Sequence, residues 1–491
     1  MVRVSAHQLI DAVVDSDSFN SWDTPPQHRQ ASAEYLASLE RAVDKAGVDE
    51  AVVTGEARVG GHRVAIVCSE FQFLAGSVGA ATARRLITAI ERATAEGLPL
   101  LVSPTSGGTR MQEGTAAFAL MISITAAVTR HREAKLPFLV YLRNPTTGGV
   151  MASWGSSGHL TFAEPEALLG FLGPRVVELT TGVPMPEEVQ TAENLHRLGI
   201  IDGVLGLEEL REGARTILDV LCDDSGAGAA QLPQAHLDGR DTWAAIERTR
   251  EPRRAGGGEI LEALSPAAVE LSGTGDGFAS PAIRAALTRV GGQRAMVIVH
   301  DRHQQPPLGG HVMGPESLRF AQRAMKVAES LGIAVVTVID TPGAELSRHA
   351  EEQAMAGEIA RTLTTLLGLQ VPTVSLILGQ GCGGGALALL PADVTLAMHD
   401  GWLSSLPPEG ASAIMYRDTE HAAEMMREQG VGAEALLSAG VIDAIIAEPE
   451  HAEGLAQRAV AAIAAALSLA EARSDTPREA RLERYRALAL G

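Results

Sequence analysis

Short apolar runs alternate with longer stretches of helical spacing along most of this chain, a pattern that predicts strands and helices in turn. Residues 1–50 have helical, largely polar spacing, broken at Asn20-Ser21-Trp22-Asp23-Thr24-Pro25-Pro26. Strands begin after Ala51. Ala57-Arg58-Val59-Gly60-Gly61-His62-Arg63-Val64-Ala65-Ile66-Val67 predicts a hairpin that turns at its paired glycines. Gly76-Ser77-Val78-Gly79 opens a helix through Ile90. A strand and loop follow over 98–110, then a helix near 113–131, a strand and loop over 136–150, and another helix. Short strands are expected at 161–165 and 167–171, and Gly199-Ile200-Ile201-Asp202-Gly203-Val204 ends the segment. Residues 223–240, rich in Asp, Gly, Ser, Ala and Gln, read as an exposed linker.

The order then repeats. Thr288-Arg289-Val290-Gly291-Gly292-Gln293-Arg294-Ala295-Met296-Val297 matches the first hairpin, with Gly291 lying 231 residues beyond Gly60. Gly343 lies 236 beyond Gly107, Gly384 lies 236 beyond Gly148, and Gly440 lies 241 beyond Gly199. Landmarks in one order at nearly one offset indicate a duplicated α/β fold, not a short-period solenoid. The expected organisation is an N-terminal helical segment (1–50), a first domain (51–222), a linker (223–240) and a second domain (241–491).

Each half carries two glycine loops. Residues 371–387 run from an apolar strand into Gly379, Gly381, Gly383, Gly384 and Gly385 and then into a small-residue helix; residues 136–150 share that layout. Upstream partners are Ser106-Gly107-Gly108-Thr109-Arg110 and Asp340-Thr341-Pro342-Gly343-Ala344. A strand–glycine–helix join leaves backbone N–H groups unscreened at a helix start, where they can hold a negative oxygen. Taken alone, such a loop can equally be a tight turn that lets backbones pack closely. Two paired copies favour aimed donors.

The length fits two or three domains, and a formal charge of −20 makes a nucleic-acid partner a poor fit. Cys68, Cys222 and Cys382 are far apart, which argues against a disulfide framework and fits a reducing compartment. The N-terminus lacks an apolar signal-like core, and no run is expected to reach a membrane span, so a cytoplasmic protein is expected. The histidines form no His-Glu-x-x-His pattern, so no catalytic metal is expected, and there is no phosphate-binding Gly-x-x-x-x-Gly-Lys loop. Lys326 lies in Ala324-Met325-Lys326, a string like a biotin-attachment motif, but it sits on an amphipathic helical stretch. Cys382 reads as a small residue in a tight loop or as a nucleophile. Glu113 reads as the partner of Arg110, a helix-start carboxylate or a general acid–base. Glu409 reads as a turn residue or as lining the second site.

The strand, glycine loop and helix resemble the crotonase superfamily, which implies two tandem crotonase-like (ClpP/crotonase) domains. More closely, Ser106-Gly107-Gly108-Thr109-Arg110-Met111-Gln112-Glu113-Gly114, Pro145-Thr146-Thr147-Gly148-Gly149-Val150 and Ala163-Glu164-Pro165 look like the carboxyltransferase beta subunit of bacterial acetyl-CoA carboxylase. Val338-Ile339-Asp340-Thr341-Pro342-Gly343-Ala344, Gly383-Gly384-Gly385-Ala386-Leu387 and Pro408-Glu409-Gly410-Ala411-Ser412 look like the alpha subunit. The resemblance covers roughly residues 50–205 and 240–450, as in fused beta–alpha carboxyltransferases. Two departures stand out. Residues 1–50 lack the four cysteines of a zinc ribbon, and Glu345-Leu346-Ser347 stands where the family usually continues with Tyr-Pro-Gly.

The resemblance implies carboxyl transfer from carboxybiotin, borne on a separate carrier protein, to a short acyl-CoA such as acetyl-CoA or propionyl-CoA. Gly107, Gly108, Gly149 and Val150 would hold the thioester enolate, and Gly343, Ala344, Gly385 and Ala386 the biotin oxyanion. Arg110, Thr147, Gly148, Gly384 and Glu409 would contact substrate. No side-chain base is needed, because the biotin anion takes the α-proton. The implied partners are biotin carboxylase, the biotin carboxyl carrier protein and further copies of this chain. The alternative is a biotin-independent decarboxylase of malonyl-CoA or a malonyl carrier protein, which the altered stretch after Ala344 would suit. A scaffold with dead sites is a third reading, opposed by the four intact loops.

Overall fold

Pairs of adjacent glycines turn the hairpin that begins each half. In this computed structural model Gly60 and Gly61 adopt φ of 58° and 86°, and Gly291 and Gly292 adopt 59° and 86°. Glycine holds both central positions of such a turn cheaply, and the turn's twist matches that of the strands it joins. The structure describes residues 3–28, 32–223, 232, 237–264, 268–305, 313–449, 454–473 and 476–490. Two compact units result, Met1–Cys222 and Asp223–Gly491. Most of the linker expected at 223–240 lies outside the described residues.

The first unit holds strands β1 (Asn20–Ser21), β2 (Val52–Val59), β3 (His62–Ser69), β4 (Leu100–Ser103), β5 (Phe138–Leu142), β6 (Thr146–Thr147), β7 (Leu160–Ala163), β8 (Leu169–Gly170) and β9 (Gly203–Val204). Seven form one sheet in the order β1-β2-β3-β4-β5-β7-β9, antiparallel as far as β3 and parallel beyond it. β4 and β5 are buried at every residue, as parallel strands covered on both faces must be. Helices α1 (Ala6–Val13) and α2 (Ala33–Ala46) precede β2, while α3 (Ala80–Ala95), α4 (Gly114–Glu133) and α5 (Gly148–Met151) follow β3, β4 and β6. α1 starts in a Ser5–Gln8 capping box, and its Ala6 amide donates to Glu70 Oε2 at 2.8 Å, so the N-terminal stretch is built into this unit. α3 continues past the expected Ile90 because Ala93 still faces the core.

The second unit repeats the plan with β10 (Val269–Glu270), β11 (Ile283–Val290), β12 (Gln293–His300), β13 (Ala334–Thr341), β14 (Thr373–Cys382), β15 (Val394–Met398), β16 (Trp402–Ser404) and β17 (Ala444–Ile446). Its main sheet runs β10-β11-β12-β13-β14-β15-β17, again antiparallel then parallel, with β16 added beside the end of β14. The motif Ala324-Met325-Lys326 lies in the helix Pro315–Leu331, with Met325 buried and Lys326 exposed, as its spacing predicts.

The duplication extends to single hydrogen bonds. Thr161 N–H donates to Asp202 Oδ2 at 2.8 Å, and Asp202 N–H returns a bond to the Thr161 carbonyl at 2.7 Å. Thr395 and Asp443 make the same exchange at 2.7 Å each way. The start of β5 is pinned by Phe138 N–H donating to His159 Nδ1 (3.0 Å), and the start of β14 by Thr373 N–H donating to Asp393 Oδ2 (2.8 Å). Position is kept while the acceptor's chemistry changes, because a buried amide requires some acceptor.

One expectation is corrected. Two helical stretches among the described residues, Met111–Glu133 and Leu455–Arg473, are long and apolar enough to span a membrane by length and composition. Leu455–Arg473 is a core helix, packing Leu455, Ala459, Ile463 and Leu467 against the second sheet. α4 turns Ala117, Met121, Ile124 and Val128 inward but leaves Phe118 and Ile122 exposed. Leu376 sits wholly buried at the centre of β14. Replacing it, Leu376→Ala, should lower the stability of the second unit by about 2–5 kcal/mol in urea unfolding. A loss below about 0.5 kcal/mol would contradict this core.

Candidate active site

The first glycine loop is held by a neighbouring backbone and by its own serine. Gly107 N–H donates to the Ala75 carbonyl at 2.9 Å, and Gly108 N–H to Ser106 Oγ at 3.0 Å. Gly108 has φ of 118°, which restricts the position to glycine. Val78 N–H then donates to the Gly108 carbonyl (3.0 Å), and Arg110 N–H to the Val78 carbonyl (2.9 Å). Successive peptide groups of an extended segment face opposite ways, so the Thr109 amide between them points away from Val78. Thr109 N–H has no acceptor among the described residues.

Opposite lies the start of α5. Buried Thr147 is its N-cap, makes no side-chain cap and donates its amide to the Ser106 carbonyl at 3.0 Å. Gly148 N–H donates to the Phe171 carbonyl (2.8 Å), and its φ of 66° lets it approach so closely that a Cβ there would sit 3.1 Å from Gly108 Cα. Gly149 and Val150 are the next two residues of the helix, and their amides stay unpaired, as first-turn donors do without a cap. A Cβ on Gly149 would stand 3.4 Å from Thr109 Cγ2, so the two segments face each other across a gap that a side chain would fill.

The second unit rebuilds this arrangement. Gly343 N–H donates to Thr341 Oγ1 at 3.2 Å, with φ of 139° at Gly343. Glu345 N–H donates to the Met313 carbonyl (3.0 Å), as Arg110 does to Val78, which turns the Ala344 amide away from Met313. Gly383, with φ of 66°, opens the helix Gly383–Ala388, whose N-cap Cys382 makes no side-chain cap. Gly384 and Gly385 carry its unpaired first-turn amides. A Cβ on Gly385 would lie 3.8 Å from Ala344 N and 3.3 Å from Met313 Cε, and one on Gly384 would collide with Ile359 Cδ1 at 2.6 Å.

Several expectations change here. The Gly107 amide is taken by Ala75, those of Gly108 and Gly343 are bonded within their loops, and Ala386 is the fourth residue of its helix, where the i→i−4 ladder begins. Among the described residues, Thr109, Gly149 and Val150 keep open donors at the first site, and Ala344, Gly384 and Gly385 at the second. Thr109 was not foreseen because the loops were matched one residue out of register. Aligning the hydroxyls Ser106 and Thr341, 235 residues apart, pairs Gly108 with Gly343 and Thr109 with Ala344.

Side chains expected at the substrate are committed elsewhere. Arg110 is fully buried, bonding Glu50 Oε1 at 2.5 Å and Oε2 at 3.1 Å, the Ser77 carbonyl and Thr82 Oγ1. Its main carboxylate is Glu50, since Glu113 stands 3.7 Å away. Glu409 forms a two-pronged pair with Arg250 at 2.6 and 3.0 Å, and that bond holds its carboxyl below the usual range. Burial pushes the Cys382 thiol up to about 12, so it is a thiol and not a thiolate nucleophile at neutral pH. On metals, Asp238, His399 and Glu434 bring ligand atoms within 4.8 Å of one another. Glu434 Oε1 there accepts from the Gly239 amide at 3.1 Å and lies 3.1 Å from His399 Nε2, a hydrogen-bonded latch.

Short glycine-opened helices with open amides, set at the ends of a mostly parallel sheet, can hold a negative oxygen. Comparison with known proteins agrees. The carboxyl transferase domain family matches residues 3–483. A probable biotin-dependent acyl-coenzyme A carboxylase beta3 subunit of Mycobacterium tuberculosis is 49% identical over 495 residues, covering 100% of this chain and 99% of that protein. The acetyl-coenzyme A carboxylase carboxyl transferase subunits beta/alpha of Salinispora arenicola are 35% identical, over 92% of this chain and 83% of that protein. Among solved structures, transcarboxylase 12S, a hexamer assembly with methylmalonyl-coenzyme A and methylmalonic acid bound, has a TM-score of 0.74 at 19% identity, covering 96% of this chain and 91% of that one. The chain belongs to the carboxyl transferase family and is an enzyme of the acyl-CoA carboxyltransferase class.

The burial of Cys382 is testable. With a pKa near 12, only about one thiol in ten thousand is ionised at pH 8. Iodoacetamide at pH 8 should leave Cys382 and Cys68 unmodified in the native protein, as read by peptide mass spectrometry. Rapid alkylation of Cys382 would contradict the packing.

Proposed function

We propose that the first unit binds the thioester of a short acyl-CoA, acetyl-CoA or propionyl-CoA, and that the second unit receives the ureido ring of carboxybiotin from a separate carrier protein. The observation that carries this reading is the pair of matched cradles, each with open amides on a helix start facing an open amide on an extended loop. Thr109, Gly149 and Val150 would share the charge of the thioester enolate. Ala344, Gly384 and Gly385 would share that of the ring oxygen, and the narrow gap beside Gly385 suits a flat group that needs no side-chain partner. Carboxybiotin supplies the activated carboxyl group and, once relieved of it, the base for the α-proton. The residues of this chain orient both partners and exclude side chains from the space between the donors. Such donors lower a barrier because they are in place before the charge develops.

The partners follow from the relatives. The relative from Mycobacterium tuberculosis is named as one subunit of a biotin-dependent acyl-coenzyme A carboxylase, which supports a biotin carboxylase and a biotin carboxyl carrier protein as partners. Apolar side chains stand exposed in both units, among them Phe118, Ile122 and Leu179 in the first and Ile414 and Met415 in the second. Faces of this kind fit further copies of the same chain, a homodimer or larger. The hexamer assembly described for transcarboxylase 12S supports that reading.

The test is carboxyl transfer from malonyl-CoA to biocytin. The native protein should catalyse it, and Gly149→Val or Gly385→Val should each lower kcat by about 10²–10³ with the fold retained. Near-native turnover in both variants would contradict the proposal. Loss of carbon dioxide from malonyl-CoA without biocytin would point to the decarboxylase alternative.

A further inference from the structure

The loop that presents Thr109 is fastened to the N-terminal helix α2 by one phenol. Tyr35, in the first turn of α2, is 8% exposed. Its hydroxyl donates to Glu113 Oε1 at 2.5 Å and accepts from Arg110 Nη1 at 3.2 Å. Glu113 Oε2 accepts the amide of Ala80, the first residue of α3, at 2.6 Å. Arg110, immediately after Thr109, is anchored in turn by the wholly buried Glu50. Residues 109–113 are thus gripped near both ends, and the two grips meet at the Tyr35 oxygen. Burial and the bond to Glu113 push the Tyr35 phenol up to about 12, so it stays a donor at working pH.

Without the hydroxyl, Arg110 loses an acceptor and Glu113 a donor at a largely buried point, and both side chains must seek other partners. Either shift passes to Thr109, because Arg110 N–H and the Gly108 carbonyl set the direction of the peptide between them. We propose that Tyr35 is a positioning residue for the first cradle: through Arg110 and Glu113 it aims the Thr109 amide at the acyl-CoA carbonyl. This rests on the reading of Thr109, Gly149 and Val150 given above. Misplacement of a reacting group by about 1 Å costs on the order of 10²-fold in rate, and a loosened donor costs part of that.

The experiment compares the full-length native protein with Tyr35→Phe, Glu113→Gln and Glu113→Ala. Transfer from malonyl-CoA to biocytin is read as kcat and KM, with hydrogen exchange of peptides covering 106–114 read in parallel. Tyr35→Phe should lower kcat about ten-fold with KM for the acyl-CoA within about two-fold, since the donor matters most when charge develops. Exchange should quicken at 106–114 and not across β4 or β5. Glu113→Gln, which keeps an acceptor oxygen, should retain more activity than Glu113→Ala. The inference is overturned if kcat of Tyr35→Phe stays within about two-fold of native, or if exchange quickens throughout the first unit, as a merely structural role predicts. A native protein that transfers no carboxyl group would instead count against the proposed function, and exchange alone would then decide the brace.

Discussion

Everything at the candidate site depends on a few backbone amides that have no acceptor among the described residues. A buried donor without a partner is costly, so its neighbours must compel it. Here the compulsion is local and visible. Gly107 is bonded to Ala75, Gly108 to Ser106 inside the loop, Gly148 to Phe171, and Val78 takes the groups on either side of Thr109. What remains open is what these bonds cannot reach. The second unit achieves the same result through Thr341, Met313 and Cys382. The cradle is a by-product of how strand, turn and helix share their hydrogen bonds, which explains why it is built on glycine.

Duplication shows which features this constraint protects. The paired-glycine turns, the Thr–Asp exchange at β7 and β15, and the positive φ of Gly148 and Gly383 occur in both units. Side chains one step away from the backbone diverge. His159 serves where Asp393 does, and buried Arg110 occupies the place of buried Glu345. The two cradles thus keep one backbone geometry while the side chains around them differ.

Much of the architecture was legible in the sequence. The Gly60-Gly61 and Gly291-Gly292 hairpins, the buried runs of β4 and β13, and the drift between repeats all follow from periodicity and turn chemistry. Donor identities were less legible, because a helix start defines a set of free amides while the loop's internal bonds decide which others survive. Those bonds hang on Ser106 and Thr341, hydroxyls whose role depends on φ at the glycine two residues on. The resemblance put Arg110 at the substrate, and its actual partner Glu50 lies 60 residues earlier, beyond any local pattern. α4 escaped notice as an apolar span because its inward and outward faces are both apolar, and spacing on one face masks the other.

The central claim concerns where a negative oxygen comes to rest. The most direct measurement is a crystal structure of the protein with a non-hydrolysable acyl-CoA analogue whose thioester is replaced by a stable enolate mimic. Its charged oxygen should lie about 2.7–3.1 Å from the amide nitrogens of Thr109 and of Gly149 or Val150. An oxygen held instead by a side chain, or standing more than about 3.5 Å from those amides, would contradict it.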